Sequence, residues 1–600
     1  MIARPFARGL VICALAMMPG ADLRALDQMA LRLDGREDPD LAKTLRQATV
    51  LADLAGKQDA TAADVVTAAR GDYARVVEAL YAQGYYGAEV RVLLDGREAA
   101  LIDPFYEPGQ VRTAEIVVKT GRRFRFGKAK IVPLARPGAP VGGFARGQPA
   151  YATVVRDAAD RAVEDWREAG HAKADVARQE VLARHGAAEL DVDIALAPGP
   201  RVRFGNVSVA GETRVKPGRV VRIAGLPEGE VFSPKDVAKA EARLRKTGTF
   251  TSAQVREMEQ VNPDGTLDME ITVIDRKPRR IGGGVEFSNF DGLTLSGYWL
   301  HRNILRGAER FRVDGEIAQI DGTGSGTDYS LSFRFEKPAV YGPDTLFFTE
   351  FGLYWTDEPD YLEKKVELTF GASQEFSEHL IGELGVGYSY TEVTDRFAVP
   401  VTTRELQLFS LPGALTFDNR DVKLDPTKGF YLKGEITPFF ERLGGDAGLH
   451  LTFDGRAYRK LGEGGTVAAG RVQLGALLGP SAMDALPSFL FYSGGGGTVR
   501  GQPYKSLDAD YGGTRLGGTS FAAVSGELRF PVSENFGLVA FADAGFVGAD
   551  TFADGDWHAG AGLGVRYKTP LGPIRLDVAG PVAGDTGNGI QLYVGIGQAF

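Results

Sequence analysis

The sequence predicts two kinds of structure in one chain: α+β repeats in the N-terminal half, then an all-β, 16-stranded antiparallel transmembrane barrel. Three observations predict it. A helix-and-turn pattern recurs three times before residue 277, and from residue 279 onward the apolar residues have a period of two. The mean hydropathy of -0.13 is too low for a bundle of membrane helices, each of which needs roughly 20 consecutive apolar residues. A barrel strand turns only every second residue to lipid.

The first residues predict an export signal. Arg4 and Arg8 precede an apolar stretch at residues 10–18, and a Pro-Gly pair follows it, as in a signal peptide. We assign residues 1–21 to this segment. Cys13 is the only cysteine of the chain, so the mature protein is expected to have no disulfide, thiol nucleophile or cysteine metal site. The formal net charge of -9 argues against a nucleic-acid partner.

Three similar units follow, each with a turn centred on a glycine. The turns LYAQGYYGAEV, WREAGHAKADV and LRKTGTFTSAQV contain Gly84, Gly170 and Gly248. Their separation of roughly 80 residues is that of an array of small domains and not of a solenoid. Apolar residues within 154–166 form one helical stripe, and those of 189–197 alternate as in a strand. The pattern predicts helices on one face of small sheets, and periodicity alone leaves three generic α+β domains as an alternative.

The C-terminal half alternates apolar and polar residues. In residues 329–336, aromatic residues and a leucine alternate with serine, arginine and glutamate, and residues 449–458 and 574–578 repeat the pattern. Segments of about ten residues are long enough to cross a bilayer as tilted strands. The charged face suits a water-filled lumen, and about 16 such segments fit the even strand number of bacterial barrels.

The last strand ends the chain on an aromatic residue. Apolar residues from Ile590 to Phe600 are expected to share one face. Tyr593, Gly595 and Phe600 stand at the offsets of the β-signal of outer-membrane proteins, which this segment resembles. Gln598 departs from that signal, because an apolar residue is usual at its position.

The N-terminal units resemble POTRA domains, the periplasmic modules of an outer-membrane assembly superfamily. The resemblance rests on the turn GYYGAEV, on the FG pairs at 126–127 and 204–205, and on a β-α-α-β-β order. It divides the chain after the signal peptide into POTRA 1, POTRA 2, POTRA 3 and the barrel: residues 22–120, 121–198, 199–276 and 279–600.

Four stretches of the C-terminal half resemble the barrel motifs of the same superfamily, which includes BamA, TamA and the two-partner secretion transporters. They are HRNILRGAE, DNRDVKLDPTKGFYLKGE, GGGGTVRGQPYKSL and the pair FADAG and GPIRLDVAGP. The residues that carry the match are Asp418, Arg420, Gly429, Val499, Arg500, Gly501, Asp543, Arg575 and Asp577.

The third motif resembles the core of the sixth extracellular loop and predicts an ion pair inside the barrel. Glycines 494–497 let the chain turn back into the lumen. The planar guanidinium of Arg500 suits a carboxylate partner, and the resemblance points to Asp543. A purely structural role for this pair stays open from the sequence. Gln502 replaces an aromatic residue common after this motif, with Tyr504 as a candidate substitute.

Glycines mark the two strands that would close the barrel. Because glycine weakens strand pairing, we hypothesise that the junction of the first and last strands, the seam, is a functional gate. The alternative is that these glycines serve only barrel curvature. The seam glycines are Gly282, Gly283, Gly284, Gly595 and Gly597.

The resemblance also implies a function. Three POTRA domains with this barrel most resemble TamA, so the expected role is the assembly of outer-membrane proteins of autotransporter type through the seam. The implied partners are a TamB-like inner-membrane-anchored periplasmic protein, client outer-membrane proteins and outer-membrane lipid. The implied location is the Gram-negative outer membrane, with the POTRA domains in the periplasm. The alternative is a two-partner secretion pore.

No enzymatic chemistry and no cofactor are expected. The sequence has no HExxH, GxSxG or P-loop motif. The segment that starts at Asp508 begins like a calcium loop, but Thr519 stands where the bidentate glutamate belongs.

Overall fold

A computed structural model describes residues 26–34, 38–55, 57, 60–103, 111–136, 142–288, 292–322, 326–462, 464–550, 552–570 and 572–600. The predicted signal peptide, residues 1–21, lies outside the described residues, and so does Cys13. Among the helices that are described, none combines the length and the apolar character needed to cross a membrane. The chain divides into two compact units. One comprises residues 1–203, 229–235 and 261–266, and the other comprises residues 204–228, 236–260 and 267–600.

The first unit begins with a four-stranded sheet of order β1-β4-β2-β3, in which β1 and β4 are parallel. Three helices accompany it, where the β-α-α-β-β order predicts two. The additional helix α2 begins at Val50 because the buried Asp72 carboxylate accepts the amides of Val50 and Leu51, both at 3.0 Å. The elements are β1 (Gln28–Asp34), α1 (Pro39–Gln47), α2 (Val50–Leu54), α3 (Ala62–Ala82), β2 (Glu89–Leu94), β3 (Arg97–Glu98) and β4 (Thr113–Lys119).

A three-stranded sheet of order β5-β7-β6 follows. Its described residues contain one helix, where the predicted order has two. That helix buries Val155, Ala158, Ala159 and Ala162 against the sheet, close to the stripe that the sequence predicts. The elements are β5 (Arg125–Val132), α4 (Ala152–Glu168), β6 (Asp175–Arg184) and β7 (Glu189–Ala197).

The third small sheet has the order β8-β10-β9 and two helices, in the full predicted β-α-α-β-β sequence. Helix α5 ends at Gly225, whose φ of 59° provides a left-handed C-cap. The elements are β8 (Arg203–Ala210), α5 (Pro217–Ala224), α6 (Pro234–Lys246), β9 (Phe250–Val261) and β10 (Thr266–Asp275).

The remaining chain forms a closed antiparallel barrel, which confirms the predicted fold class. Segments β18 and β19 both pair with β17 and β20, so they are two halves of one strand and the barrel has 16 strands. The pair β23 and β24 forms a separate hairpin inside the loop between β22 and β25. The elements are β11 (Arg279–Ser288), β12 (Gly292–Arg302), β13 (Arg310–Ile320), β14 (Asp328–Pro338), β15 (Thr345–Asp357), β16 (Tyr361–Glu375), β17 (Leu380–Asp395), β18 (Thr402–Ser410), β19 (Gly413–Asp418), β20 (Gly429–Glu441), β21 (Ala447–Leu461), β22 (Thr466–Leu478), β23 (Ala509–Asp510), β24 (Arg515–Leu516), β25 (Ser520–Pro531), β26 (Phe536–Gly548), β27 (Gly555–Tyr567), β28 (Ile574–Ala583) and β29 (Gln591–Ile596).

The two faces of the barrel strands differ as the alternation predicts. In β28, Ile574, Leu576 and Val578 are exposed on the outside, whereas Arg575 and Asp577 are buried inside. Apolar side chains on the outside face lipid, and charged side chains inside face the lumen.

Candidate functional site

The barrel closes through a short seam. Strand β11 forms ten residue pairs with β12 but only two with β29, Phe287 with Val594 and Ser288 with Tyr593. Residues 279–286 therefore have no ladder partner in β29, and one edge of the first strand is largely unpaired. An unpaired edge carries main-chain donors and acceptors that can pair with another strand.

The structure separates the predicted seam glycines. Gly282, Gly283 and Gly284 lie in the unpaired part of β11, and Gly595 lies in β29. The prediction that Gly597 lies in the last strand is wrong. Its φ of 97° is incompatible with a continuing strand, and β29 ends one residue earlier.

The predicted face of Phe600 is also wrong. The chain turns inward at Gly597, so the Phe600 side chain is buried with Tyr458 and Ala469 and does not continue the exposed row of Ile590 and Ile596. The period of two assigns a face only while the chain remains a strand.

The sixth extracellular loop, residues 479–519 between β22 and β25 (loop six), brings its motif into the lumen. Val499 is fully buried, and Arg500 is 2% exposed. The Arg500 guanidinium donates from Nε and Nη2 to the two Asp543 oxygens at 2.8 and 3.0 Å, and its backbone N–H donates to the same carboxylate at 3.1 Å. The structure thus brings the two predicted partners together in bidentate geometry.

Arg500 belongs to a larger group of charges. Its Nη1 donates to Glu527 at 2.6 Å and lies 3.6 Å from Asp577. Arg529 also pairs with Glu527, and Arg566 pairs with Asp577. We call this group the buried charge network; its members are Arg500, Glu527, Arg529, Asp543, Arg566 and Asp577.

Three members of the buried charge network were not predicted from the sequence: Glu527, Arg529 and Arg566. Their signal was available, because strand alternation places Glu527 and Arg529 together on the polar face of β25. Three guanidinium groups face three carboxylates, so the formal charges of the network cancel. Removal of one partner would leave an uncompensated buried charge, which costs about 3–5 kcal/mol.

Small residues allow loop six to lie directly against the barrel wall. Gly501 has a φ of 94°, and a Cβ there would lie 2.5 Å from the Gly580 carbonyl oxygen. A Cβ at Gly560 would collide with the Arg500 carbonyl oxygen. The Gly501 N–H donates to the Tyr593 hydroxyl at 3.1 Å. Loop six is therefore attached to the last strand, which also forms the seam.

Gln502, the departure from the usual motif, fits a polar site. Its side-chain amide donates to the carbonyls of Ala559 and Ala583 at 2.8 and 3.1 Å, and its oxygen accepts from the Thr586 hydroxyl at 3.0 Å. That Tyr504 substitutes for the missing aromatic residue stays a prediction. Its hydroxyl donates to Glu358 at 3.4 Å.

The remaining predicted residues lie outside the contacts of Arg500, except Asp577. Asp418 and Arg420 form a bidentate pair at 2.8 and 2.9 Å where β19 ends, and Gly429 opens β20 with a φ of 105°. In the turn between them, burial raises the pKa of Asp421, but hydrogen bonds from the Thr427 side chain and from backbone amides lower it to about 2.

Arg575 spans the seam. Its Nη2 reaches from β28 to Glu286 of β11 at 2.6 Å and passes beside Gly595, where a Cβ would lie 3.0 Å from Arg575 Nε.

Of the described residues, none form a group of three or more His, Cys, Asp or Glu that could hold a metal ion.

Parts of this chain match two family models. Residues 308–600 match the Omp85 superfamily domain, and residues 202–274 match POTRA, the surface antigen variable number repeat. The Omp85 match covers most of the barrel. The POTRA match falls on the third small sheet.

Two curated proteins are similar to this chain over more than half of its length. It is 26% identical over 418 residues to the outer membrane protein assembly factor BamA of Nitratidesulfovibrio vulgaris, covering 66% of this chain and 50% of that one. It is 28% identical over 371 residues to a SAM50-like protein of Schizosaccharomyces pombe, covering 57% and 76%. The chain spans about half the length of that BamA.

Solved structures have the same fold. BamA of Haemophilus ducreyi without POTRA domains 1–3 superimposes with a TM-score of 0.63 at 16% identity, covering 79% of this chain and 100% of that one. CdiB of Acinetobacter baumannii gives 0.50 at 11% identity, covering 79% and 90%. The barrel lies in the outer membrane, and the region that matches POTRA lies in the periplasm.

Proposed function

We propose that this protein is an outer-membrane protein assembly factor that acts through its seam. The observation that carries the proposal is the asymmetry of β11, which has ten pairs on one edge and two on the other. An incoming client strand could pair with residues 279–286 by β-augmentation, in which main-chain hydrogen bonds provide the affinity. No covalent step is needed, so we propose a role without enzymatic chemistry.

The contacts of loop six would depend on whether the seam is paired. Tyr593 both pairs with Ser288 across the seam and accepts a hydrogen bond from Gly501. Displacement of β29 by a client would therefore strain or break the contact with loop six. The buried charge network, in contrast, holds Arg500 against β25, β26 and β28, which do not form the seam. This arrangement supports a loop that stays attached to the barrel wall while the last strand moves.

A finer assignment is a TamA-type subunit with clients of autotransporter type and a TamB-like partner. The support is the number of small sheets before the barrel, which is three within the described residues. On this proposal residues 22–120 and 121–198 are also POTRA domains. Depletion of the protein followed by outer-membrane proteomics would identify the clients, and loss of autotransporters alone is the expected result.

The seam is tested by locking it. Cysteines at Phe287 and Val594, a directly paired position of the seam, should form a disulfide. The oxidised protein in vesicles is expected to lose insertion of an outer-membrane client, and reduction should restore it. The matched control places cysteines at Ile317 and Tyr329, a paired outward position of β13 and β14. Full client insertion with a completely oxidised seam would reject the proposal.

A second candidate is a two-partner secretion pore. It is favoured by a lumen cavity of 960 Å³ beside loop six, whose lining includes the charged residues Glu316, Asp328 and Lys433. Planar-bilayer conductance separates the two functions. A pore requires a large conductance after deletion of loop six and export of a dedicated soluble protein, whereas an assembly factor requires neither.

A further inference from the structure

Exposed cations surround the junction where the third small sheet joins the barrel. The linker between β10 and β11 contributes three of them, the loop between β8 and α5 two, and the turn between β12 and β13 one. The chain as a whole has a net charge of -9, so this concentration of positive charge is local. We call this group the basic surface; its members are Arg214, Lys216, Arg276, Lys277, Arg279 and Arg306.

The basic surface lacks compensating carboxylates. At the same end of the barrel Arg243 pairs with Asp344, whereas no member of the basic surface forms an ion pair with any carboxylate that the structure describes. The nearby Asp275 is already satisfied, because it accepts from the Thr213 hydroxyl at 2.7 Å and from the Arg214 backbone N–H at 2.8 Å. Unpaired like charges repel one another, and an anion bound among them removes that repulsion.

Backbone hydrogen bonds hold the cationic linker in one conformation. Arg302 of β12 is buried; its backbone N–H donates to the Pro278 carbonyl at 2.7 Å, and its Nη1 donates to the Lys277 carbonyl at 3.3 Å. The Arg276 N–H donates to the Thr249 carbonyl at 2.8 Å. The linker is thus attached to both the barrel and the small sheet, so its charged side chains are presented from a fixed backbone.

The turn between β12 and β13 joins cations to exposed apolar side chains. Arg306 donates from Nε to the Arg214 carbonyl at 3.2 Å, and its own carbonyl accepts from the Lys216 N–H at 2.9 Å. In the same turn Ile304 and Leu305 are 40% and 62% exposed. Exposed apolar side chains beside several cations are typical of a surface that lies in the interface of a membrane.

The lipid-facing side of the first strands gives the level of the basic surface. The rings of Trp299 and Phe311 lie 6.2 Å apart on that side, and aromatic side chains mark the membrane interfaces of a transmembrane barrel. Arg279 pairs with His301, which is two residues closer than Trp299 to the periplasmic end of β12. The cations therefore follow the aromatic side chains on the periplasmic side, where the headgroups of the inner leaflet lie.

We propose that the basic surface binds the phosphate groups of anionic phospholipids in the periplasmic leaflet, with Ile304 and Leu305 inserted among the acyl chains. Guanidinium and ammonium groups both suit phosphate oxygens, and clustered cations next to a membrane attract anionic lipid. An acidic protein segment would satisfy the charges but not the exposed apolar pair. The inference goes beyond the proposed function, because it concerns lipid binding and not the insertion of clients.

A lipid titration tests the charges. The full-length protein in detergent micelles is titrated with dioleoylphosphatidylglycerol, and native mass spectrometry measures the Kd. The linker variant carries Arg276→Gln, Lys277→Gln and Arg279→Gln. It is expected to bind this lipid about a hundredfold more weakly at low salt, since each cation near a membrane surface contributes about fivefold. Zwitterionic dioleoylphosphatidylcholine should bind the wild type and the linker variant equally weakly.

The matched control removes three exposed cations from other turns at the same end of the barrel, those between β19 and β20 and between β27 and β28. Its substitutions are Lys423→Gln, Lys428→Gln and Lys568→Gln, and its affinity for phosphatidylglycerol should stay within about twofold of the wild type. Equal losses in the two triple variants would overturn the proposal. Tighter binding of a soluble hexaglutamate peptide than of phosphatidylglycerol would overturn it in favour of an acidic protein ligand.

A spin label tests the apolar pair. Leu305→Cys introduces a labelling site, because the sole native cysteine, Cys13, lies in the predicted signal peptide. In vesicles that contain phosphatidylglycerol, the label should be more accessible to oxygen than to a water-soluble nickel complex. The control label is placed by Met258→Cys, an exposed apolar position of β9, and should be more accessible to nickel. Equal nickel accessibility of the two labels would show that the turn does not enter the membrane.

Discussion

Two parts of the barrel are held in opposite ways. The wall of β25 to β28 has continuous pairing and six buried charges that satisfy one another. Within the part of the chain that the structure describes, the seam has two residue pairs, one ion pair across it and several glycines. The wall can therefore act as a fixed frame for loop six, while the seam has the fewest contacts to hold its edge. The difference teaches that, under the proposed function, the most strongly held part of the barrel lies next to the part that would open.

The largest effect is expected from removing Arg500, the central cation of the buried charge network. Arg500→Ala should destabilise the barrel by about 3–5 kcal/mol, because Asp543 and Glu527 would remain buried without their partner. Urea unfolding in detergent micelles measures the change in free energy of unfolding. Arg500→Lys keeps the positive charge but not the planar guanidinium, so it should reduce the free energy of unfolding by less. A loss below about 1 kcal/mol for Arg500→Ala, the range of exposed ion pairs, would mean that the network does not hold the wall.

A smaller effect is expected from the close approach of loop six to the wall. Gly560→Ala adds a methyl group that collides with the Arg500 carbonyl oxygen and should cost about 1–3 kcal/mol as overpacking. Gly526→Ala, in β25, is the matched control, because a Cβ there meets no atom within 4 Å. Equal unfolding free energies of the two variants would contradict tight packing of the loop.

A half-buried ion pair outside the barrel wall is expected to contribute less to stability than the buried charge network. Arg243 of α6 donates from Nε and Nη2 to Asp344, in the turn between β14 and β15, at 2.6 and 2.7 Å. This hydrogen bond lowers the pKa of Asp344, so its contribution to stability is present above the unfolded-state pKa and is lost as pH falls through the folded-state pKa. We expect the ion pair to contribute about 0–1 kcal/mol to the free energy of unfolding. The measurement is the difference in melting temperature between the wild type and Asp344→Asn at neutral pH. The difference should vanish in acid, and a constant difference would argue against the pair.

The smallest effect is expected at the seam. Glu286 is mostly exposed, so Glu286→Gln should change global stability by less than about 1 kcal/mol. It should nevertheless speed hydrogen exchange in β29, since the ion pair with Arg575 crosses the seam. Protection in β28 serves as the internal control. Unchanged exchange in β29 would show that the ion pair does not restrain the last strand.

Much of the architecture was predictable. Alternation in β14 and β28 assigns their faces correctly, because the two sides of a barrel strand meet different solvents. The prediction of Arg500 and Asp543 as partners came from family resemblance, and the structure places them in contact. Glu527 and Arg566 escaped prediction, since alternation says that a charge faces the lumen but not which charge it meets.

Local patterns failed where long-range contacts decide the path of the chain. Phe600 continues a strand pattern in the sequence, yet Arg529 and Tyr458, distant in the chain, draw it inward. The extra helix α2 likewise depends on Asp72, which lies in another helix. Neither outcome can be read from neighbouring residues.

The sequence by itself determined the strand number, the lipid-facing and lumen-facing sides, and the small sheets before the barrel. Each of these follows from residue periodicity, which is a local property of the chain. The tertiary structure alone decided how far the seam pairs, where Phe600 lies and how the buried charges are matched. These three features depend on which distant groups compete for the same backbone and side-chain partners. Such groups meet only when the barrel has closed, so the more stable pairing cannot be read from neighbouring residues.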